Sequence, residues 1–333
     1  MIKNNKSLSV CILRLSSIGD ITHILPIIAT IKNAYPDADI TWIIGKTEYQ
    51  LVKNIDYINF LVVDKNKAID SLVTMNKLCG RQIFDVVLHM QKSLRSKFIG
   101  KLLRGRININ YSDIEKENVH VLDHFFSFLE KININKRVIK WDTKKLLNKS
   151  SSNIEKRLED ISKFISINPF TSERINNYRE WNYSNYVYIT EYLKNKYSIH
   201  TIFIGKTSNK NKESFEKLFS NNDSLNFINS TSLIETLYIL KKSLFYIGPD
   251  SGTLHMANMF NIPIIGLYAT SNPDRTGPYK NQKFNVNKYN QALLKFNDKK
   301  IIDANWGERV RDANAMRLIT KAEVIEKIDE IMK

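Results

Sequence analysis

The chain has 333 residues, 43% of them hydrophobic and 25% charged, a composition that excludes intrinsic disorder and gives enough length for two domains of ordinary size. Lys and Arg number 50 against 34 Asp and Glu, and the formal charge of +16 points toward a polyanionic partner: nucleic acid, an anionic membrane surface, or a phosphorylated small or lipid-linked substrate. A general bias toward Lys, Asn and Ile would raise the same excess without any partner, and only two cysteines, Cys11 and Cys79, are present, which excludes a disulfide framework.

The first apolar run spans 8–15 and follows a basic start, but it is too short for a signal peptide and runs directly into the turn Ser16-Ser17-Ile18-Gly19-Asp20. It reads as a first strand. A helix follows, with Ile24, Ile27, Ile28 and Ile31 at helical spacing. Further apolar runs at 40–45, 60–64 and 85–90, with an amphipathic stretch at 68–78, continue an alternation of strands and helices. Such alternation predicts a parallel sheet covered on both faces. After a helix over 121–130 the sequence turns polar, and the domain boundary is placed there, giving domains 1–150 and 151–333.

The alternation then restarts. Strands are expected at 164–170, 200–205, 227–229, 244–248 and 262–269. Helices are expected from Ser184 to Lys196, through Phe215 to Phe219, from Leu233 to Lys241, from Thr253 to Phe260, and over 321–332. The last of these is left free to return to the first domain. Two Rossmann-like α/β domains in succession would place a ligand cleft at the carboxyl ends of their strands. No apolar run approaches the roughly 18 residues of a membrane span, so any membrane contact is expected to be peripheral.

Two segments carry chemistry. In LSSIGDITHILP, residues 15–26, Gly19 permits close approach of backbone to ligand, and Asp20 opens a helix at the sheet rim. Taken alone, Asp20 reads first as an N-cap on free backbone amides. In residues 246–279, a strand ends at Gly248, Pro249 turns the chain, and Asp250-Ser251-Gly252-Thr253 open a helix whose amides can bind a diphosphate. Asp250 can equally be that helix's cap. The pair Asp37 and Asp39 has the spacing of a metal-binding D-x-D but lies between Pro36 and a strand, as a solvated turn does. His120 and His124 have ligand spacing without a third ligand nearby, so no metal is predicted. Lys92, Arg95, Lys97, Lys101, Arg104 and Arg106 crowd one short segment, either as an anion-binding surface or as a solvated basic face. No helix-turn-helix, zinc-finger or RNP-like pattern supports a nucleic-acid partner.

In order along the chain, SIGDITHILP, REW at 179–181, DSGTLH and RTGPY resemble glycosyltransferase family 9, the heptosyltransferases of lipopolysaccharide core assembly. LHMQKSLRSK, HVLDHFFSFLE and WGERVRDANAM are similar to the subgroup that adds the first heptose to Kdo. The resemblance implies a GT-B fold, an ADP-heptose donor held by the second domain, and a Kdo-lipid A acceptor held by the first. It also implies an inverting, metal-independent transfer with no cofactor, at the cytoplasmic face of an anionic inner membrane. Carried onto this chain, it makes Asp20 the general base, with Gly19, Arg95 and Lys97 toward the acceptor. Arg179, where the family often has Lys, would be the diphosphate cation. Thr171, Ser172, Ser251, Gly252 and Thr253 would contact phosphates, Asp250 would orient amides or a donor hydroxyl, and His255 would either reach the donor or pack in the core.

Overall fold

A computed structural model describes residues 7–64, 66–67, 82–115, 118–147, 152–173, 177–219 and 225–333. The amphipathic stretch expected at 68–78, and Cys79, lie outside these residues. The chain divides into two units, Met1–Lys149 and Ser150–Lys333.

The first unit is built on a five-stranded parallel sheet of order β3-β2-β1-β4-β5. Its strands are β1 (Ser9–Leu13), β2 (Asp39–Gly45), β3 (Asn59–Val63), β4 (Ile83–His89) and β5 (Arg104–Asn110). The apolar runs of β1, β2 and β4 are continuous rather than alternating because both faces of a parallel sheet are covered. Cys11 sits between Thr41 and Val87 in register, fully buried with Leu13, Ile43, Phe84 and Ile99 around it.

The helix Ile18–Ala34 contains Pro26, which cannot donate an amide to the carbonyl of Thr22 one turn earlier. That carbonyl instead accepts the indole Nε1–H of Trp141 at 2.9 Å. Val138 donates its amide to Thr30 Oγ1 at 2.8 Å, and the Thr30 hydroxyl donates back to the Val138 carbonyl at 3.2 Å. The polar stretch after Glu130, which has little periodicity of its own, is therefore a strap along the first helix.

The second unit carries a six-stranded parallel sheet of order β11-β10-β9-β6-β7-β8. Its strands are β6 (Phe164–Ile167), β7 (His200–Phe203), β8 (Leu225–Asn226), β9 (Tyr246–Pro249), β10 (Ile264–Tyr268) and β11 (Val286–Asn287). Several elements are displaced from their expected bounds. The run at 164–170 leaves the sheet after Ile167 because the Asn168 side chain accepts the Phe170 amide and turns the chain. The helix expected through Phe219 is Asn209–Glu216, and the strand expected at 227–229 pairs instead at Leu225–Asn226. The closing helix, Lys321–Ile331, buries Val324 and Ile328 in the core of the second unit. Among the described residues no helix is long and apolar enough to cross a membrane.

Trp141→Phe should lower stability by about 1–3 kcal/mol in urea unfolding, because it strands a buried carbonyl. In a Pro26→Ala background the backbone amide of residue 26 can take over that carbonyl, so the same substitution should cost measurably less. An equal cost in both backgrounds would show that packing, and not the Thr22 bond, is what Trp141 supplies.

Candidate functional site in two halves

In each sheet the strand order reverses once, between β1 and β4 in the first unit and between β6 and β9 in the second. The loops leaving the carboxyl ends at such a point diverge and leave a crevice, the usual ligand position in open α/β sheets. Asp20 follows β1 and the segment 91–97 follows β4. Residues 168–180 follow β6, and Asp250 to Thr253 follow β9.

In the first unit, Arg14 ends the apolar run of β1. Its amide donates to the Ile43 carbonyl at 3.1 Å, and its carbonyl accepts the indole N–H of Trp42 at 3.2 Å. The guanidinium lies 5.1 Å from the Phe125 ring centre, donates from Nη1 to the Met90 carbonyl, and pairs through Nη2 with Asp20 Oδ2 at 2.5 Å. The Arg14 side chain is only 11% exposed, while that of Asp20 is 25% exposed.

Ser17 is the N-cap of the helix, and Asp20 stands at the third helical position, not at the cap. Its Oδ2 also accepts the Ser17 amide at 3.0 Å and the Ser17 hydroxyl at 2.9 Å. Among the described residues Oδ1 has no hydrogen-bond donor, so one carboxylate oxygen is fixed by the fold and the other is open. Burial works to raise the Asp20 pKa, but the Arg14 charge and the Ser17 hydrogen bonds outweigh it and hold the carboxyl below its ordinary range.

Gln91 clasps the same turn. Its Oε1 accepts the Leu15 amide at 2.7 Å, and its Nε2 donates to the hydroxyls of Ser16 at 3.4 Å and Ser93 at 3.2 Å. Ser93 caps the helix Leu94–Gly100, on which Arg95 and Lys97 are exposed. His120 serves as the N-cap of the helix Val121–Glu130, accepting the Leu122 amide at Nδ1, and His124 lies against Tyr111. Neither belongs to a metal-ligand set, and among the described residues no group of three or more His, Cys, Asp or Glu comes together as one. Asp39 opens β2, exposed, and accepts a bond from Asn59.

In the second unit, the residues expected around a diphosphate form one network. Arg179 donates from Nε to Asn177 Oδ1 at 2.7 Å, from Nη1 to the Asp250 carbonyl at 2.8 Å, and from Nη2 to the Ser172 hydroxyl at 3.3 Å. Thr171 is held by Glu180, whose Oε1 accepts both its amide at 2.8 Å and its hydroxyl at 3.2 Å. Asn168 bridges to the Ser251 and Thr253 hydroxyls at 3.4 and 3.0 Å. Ser251 is the N-cap of the helix Gly252–Asn258.

Asp250 is neither a cap nor directed at free amides. It is buried, and its Oδ2 accepts the hydroxyls of Ser271 at 2.8 Å and Thr276 at 3.3 Å. Three further groups surround it: Arg179 at 3.7 Å, His255 at 3.9 Å and Arg309 at 3.9 Å. Burial again acts to raise its pKa, and His255 with the two guanidiniums outweighs burial and keeps the carboxyl far below the usual range. His255 is itself buried beside it. Trp181, in the same REW motif as Arg179, is a core residue whose indole donates to the Ile319 carbonyl at 3.0 Å.

The sequence pattern did not single out Arg14, Gln91, Asn168, Asn177, Glu180, Ser271, Thr276 or Arg309. Arg14 left a signal of its own, as a charge at the end of an apolar strand run, and Gln91, Glu180, Thr276 and Arg309 lie within the segments LHMQKSLRSK, REW, RTGPY and WGERVRDANAM without having been assigned a role.

The sequence model of glycosyltransferase family 9 (heptosyltransferase) matches residues 73–304. The chain is 27% identical over 341 aligned residues to the lipopolysaccharide core heptosyltransferase OpsX of Haemophilus influenzae, covering 97% of this chain and 96% of that protein. Among solved structures it is similar to the family 9 glycosyl transferase of Veillonella parvula, with a TM-score of 0.74 at 17% identity over 98% of this chain and 97% of the other. It is also similar to the E. coli heptosyltransferase WaaC with ADP, with a TM-score of 0.73 at 15% identity over 97% and 100% of the two chains. At these identities the structural likeness fixes the fold, which is of the GT-B type, and the family match over most of the length fixes the lineage: this chain is a glycosyltransferase and belongs to family 9.

Proposed function

We propose that the chain transfers a heptose from ADP-heptose to a Kdo hydroxyl of the lipopolysaccharide inner core, inverting the anomeric centre in one displacement. The observation that carries this reading is the state of Asp20: a carboxylate kept ionised, partly open to solvent, with Oδ2 committed to the fold and Oδ1 free of donors among the described residues. Such a group can take a proton without first losing a partner. The acceptor hydroxyl gives its proton to Oδ1 as its oxygen bonds to the anomeric carbon. The bond from that carbon to the diphosphate breaks on the opposite face, and ADP departs with the electron pair.

The charge growing on the leaving group requires donors already in place. Arg179 supplies them, braced by Asn177 and by the Asp250 carbonyl, with the hydroxyls of Thr171, Ser172, Ser251 and Thr253 beside it and Gly252 leaving room for the phosphates. Asp250 acts as an anchor here. Its carboxylate, fixed by the Ser271 and Thr276 hydroxyls, has Arg179 and Arg309 beside Oδ2 and His255 beside Oδ1, so the two guanidiniums are positioned before a ligand arrives. On the acceptor side, Gly19 allows close approach, and Arg95 and Lys97 suit Kdo carboxylates and lipid A phosphates. Coupled ADP release with ADP-heptose and Kdo-lipid A tests the reading, and turnover confined to an already heptosylated acceptor would reject the first-heptose assignment.

Asp20→Asn should fold normally and lose about 10²–10⁴-fold in kcat; turnover close to wild type would remove Asp20 as the base. Removing the cation in Arg14→Met should raise the Asp20 pKa, so the acid limb of kcat/KM should move to higher pH. Arg14→Lys should hold that limb nearer its original place, and an unmoved limb in the methionine variant would assign the titration to another group. Arg179→Ala should weaken ADP binding about 10–100-fold in calorimetry, the range for losing charge-assisted bonds, and unchanged affinity would exclude it as the phosphate cation.

A further inference from the structure

The helix Leu94–Gly100 turns an unusual face to solvent. It buries Ser96 and Ile99 against the sheet, yet Leu94 and Phe98, one turn apart on the same side, are 74% and 62% exposed. Arg95 flanks this apolar stripe on one side and Lys97 on the other, and the Lys101 ammonium sits 5.9 Å from the Phe98 ring centre. Among the described residues none of Arg95, Lys97 and Lys101 forms an ion pair.

We propose that this helix docks the first domain onto an anionic phospholipid bilayer, with Leu94 and Phe98 entering the interface and the surrounding cations meeting lipid phosphates. The proposal rests on the reading above that the acceptor is lipid-anchored, and it names the surface through which the enzyme would reach it. The combination of side chains selects the occupant. A soluble polyanion would satisfy the cations and leave Leu94 and Phe98 in water, whereas the boundary of an anionic bilayer accepts both. A second copy of the chain would bring the same uncompensated charges face to face.

Position adds to the case. Gln91 bonds both to the turn before Asp20 and to the Ser93 cap of this helix, so the docking face and the candidate base belong to one edge of the sheet. An acceptor emerging from the bilayer would meet that edge first.

The test is co-sedimentation of the full-length protein with vesicles that contain no acceptor. Wild type should bind vesicles of phosphatidylglycerol and phosphatidylethanolamine and ignore pure phosphatidylcholine. L94S/F98S should bind the anionic vesicles about ten-fold more weakly, through loss of the buried apolar stripe. Because both side chains are exposed, the double variant should keep its circular dichroism and its turnover on a water-soluble Kdo acceptor without acyl chains. The proposal is overturned if the double variant partitions like wild type, if wild type does not bind anionic vesicles, or if light scattering shows that the two substitutions convert a dimer to a monomer. If vesicle binding behaves as expected while no Kdo acceptor is turned over, the docking face stands and the heptose-transfer reading falls.

Discussion

A parallel sheet sends every strand's carboxyl end to the same edge, and a strand order that reverses forces the loops on either side of the reversal apart. Both units of this chain obey that constraint, and nearly everything functional follows from it. The loops after β1 and β4 carry Asp20, Gln91 and the basic helix. Those after β6 and β9 carry Arg179 and the Asp250–Thr253 turn. Side chains far apart in sequence become neighbours because the topology leaves the polar loops nowhere else to gather.

The two units handle charge in opposite ways. In the first, a single half-buried cation, Arg14, is held by a carbonyl and an aromatic face and pairs through Nη2 with a partly exposed carboxylate. In the second, a buried carboxylate is the fixed point, with two guanidiniums and an imidazole around it. An ion pair at a protein interior gains little net stability over apolar packing but is costly to break from one side, so such pairs specify geometry more than they stabilise it. Here the geometry specified is that of one partly exposed carboxylate and one braced guanidinium, the groups proposed as proton acceptor and anion-binding cation.

How much of this was legible in the sequence depends on how local the causes are. Most strands of both sheets could be read because parallel strands buried on two faces leave unbroken apolar runs, as in ITWIIG and IPIIGLYA; β5, RGRININ, was not expected, because it is mostly exposed and has no such run. β8 and β11 have only two residues each, too few for any pattern. The candidate site was legible where it lies in contiguous motifs, which pointed to Asp20, Arg179 and the 250–253 turn, though not to the inward turn of Asp250, set by Ser271 and Thr276. Arg309 reaches Asp250 through a fold of the chain that no local spacing encodes, and Asn177 and Glu180, though beside Arg179 in sequence, carry no spacing that reveals their bonds. The strap after Glu130 shows the same limit: neither Pro26 nor Trp141 announces its partner.

The lopsided bonding of Asp20 also determines how an amide would sit in its place. Three donors converge on one side, two from Ser17 and one from Arg14, and they would accept only an oxygen there. An asparagine would therefore be sorted into a single flip state, its NH₂ turned outward to the place of the donor-free oxygen. Such a side chain would not be a mute spacer. It would present a hydrogen where the carboxylate presents a lone pair, reversing the polarity at the one oxygen the fold leaves open.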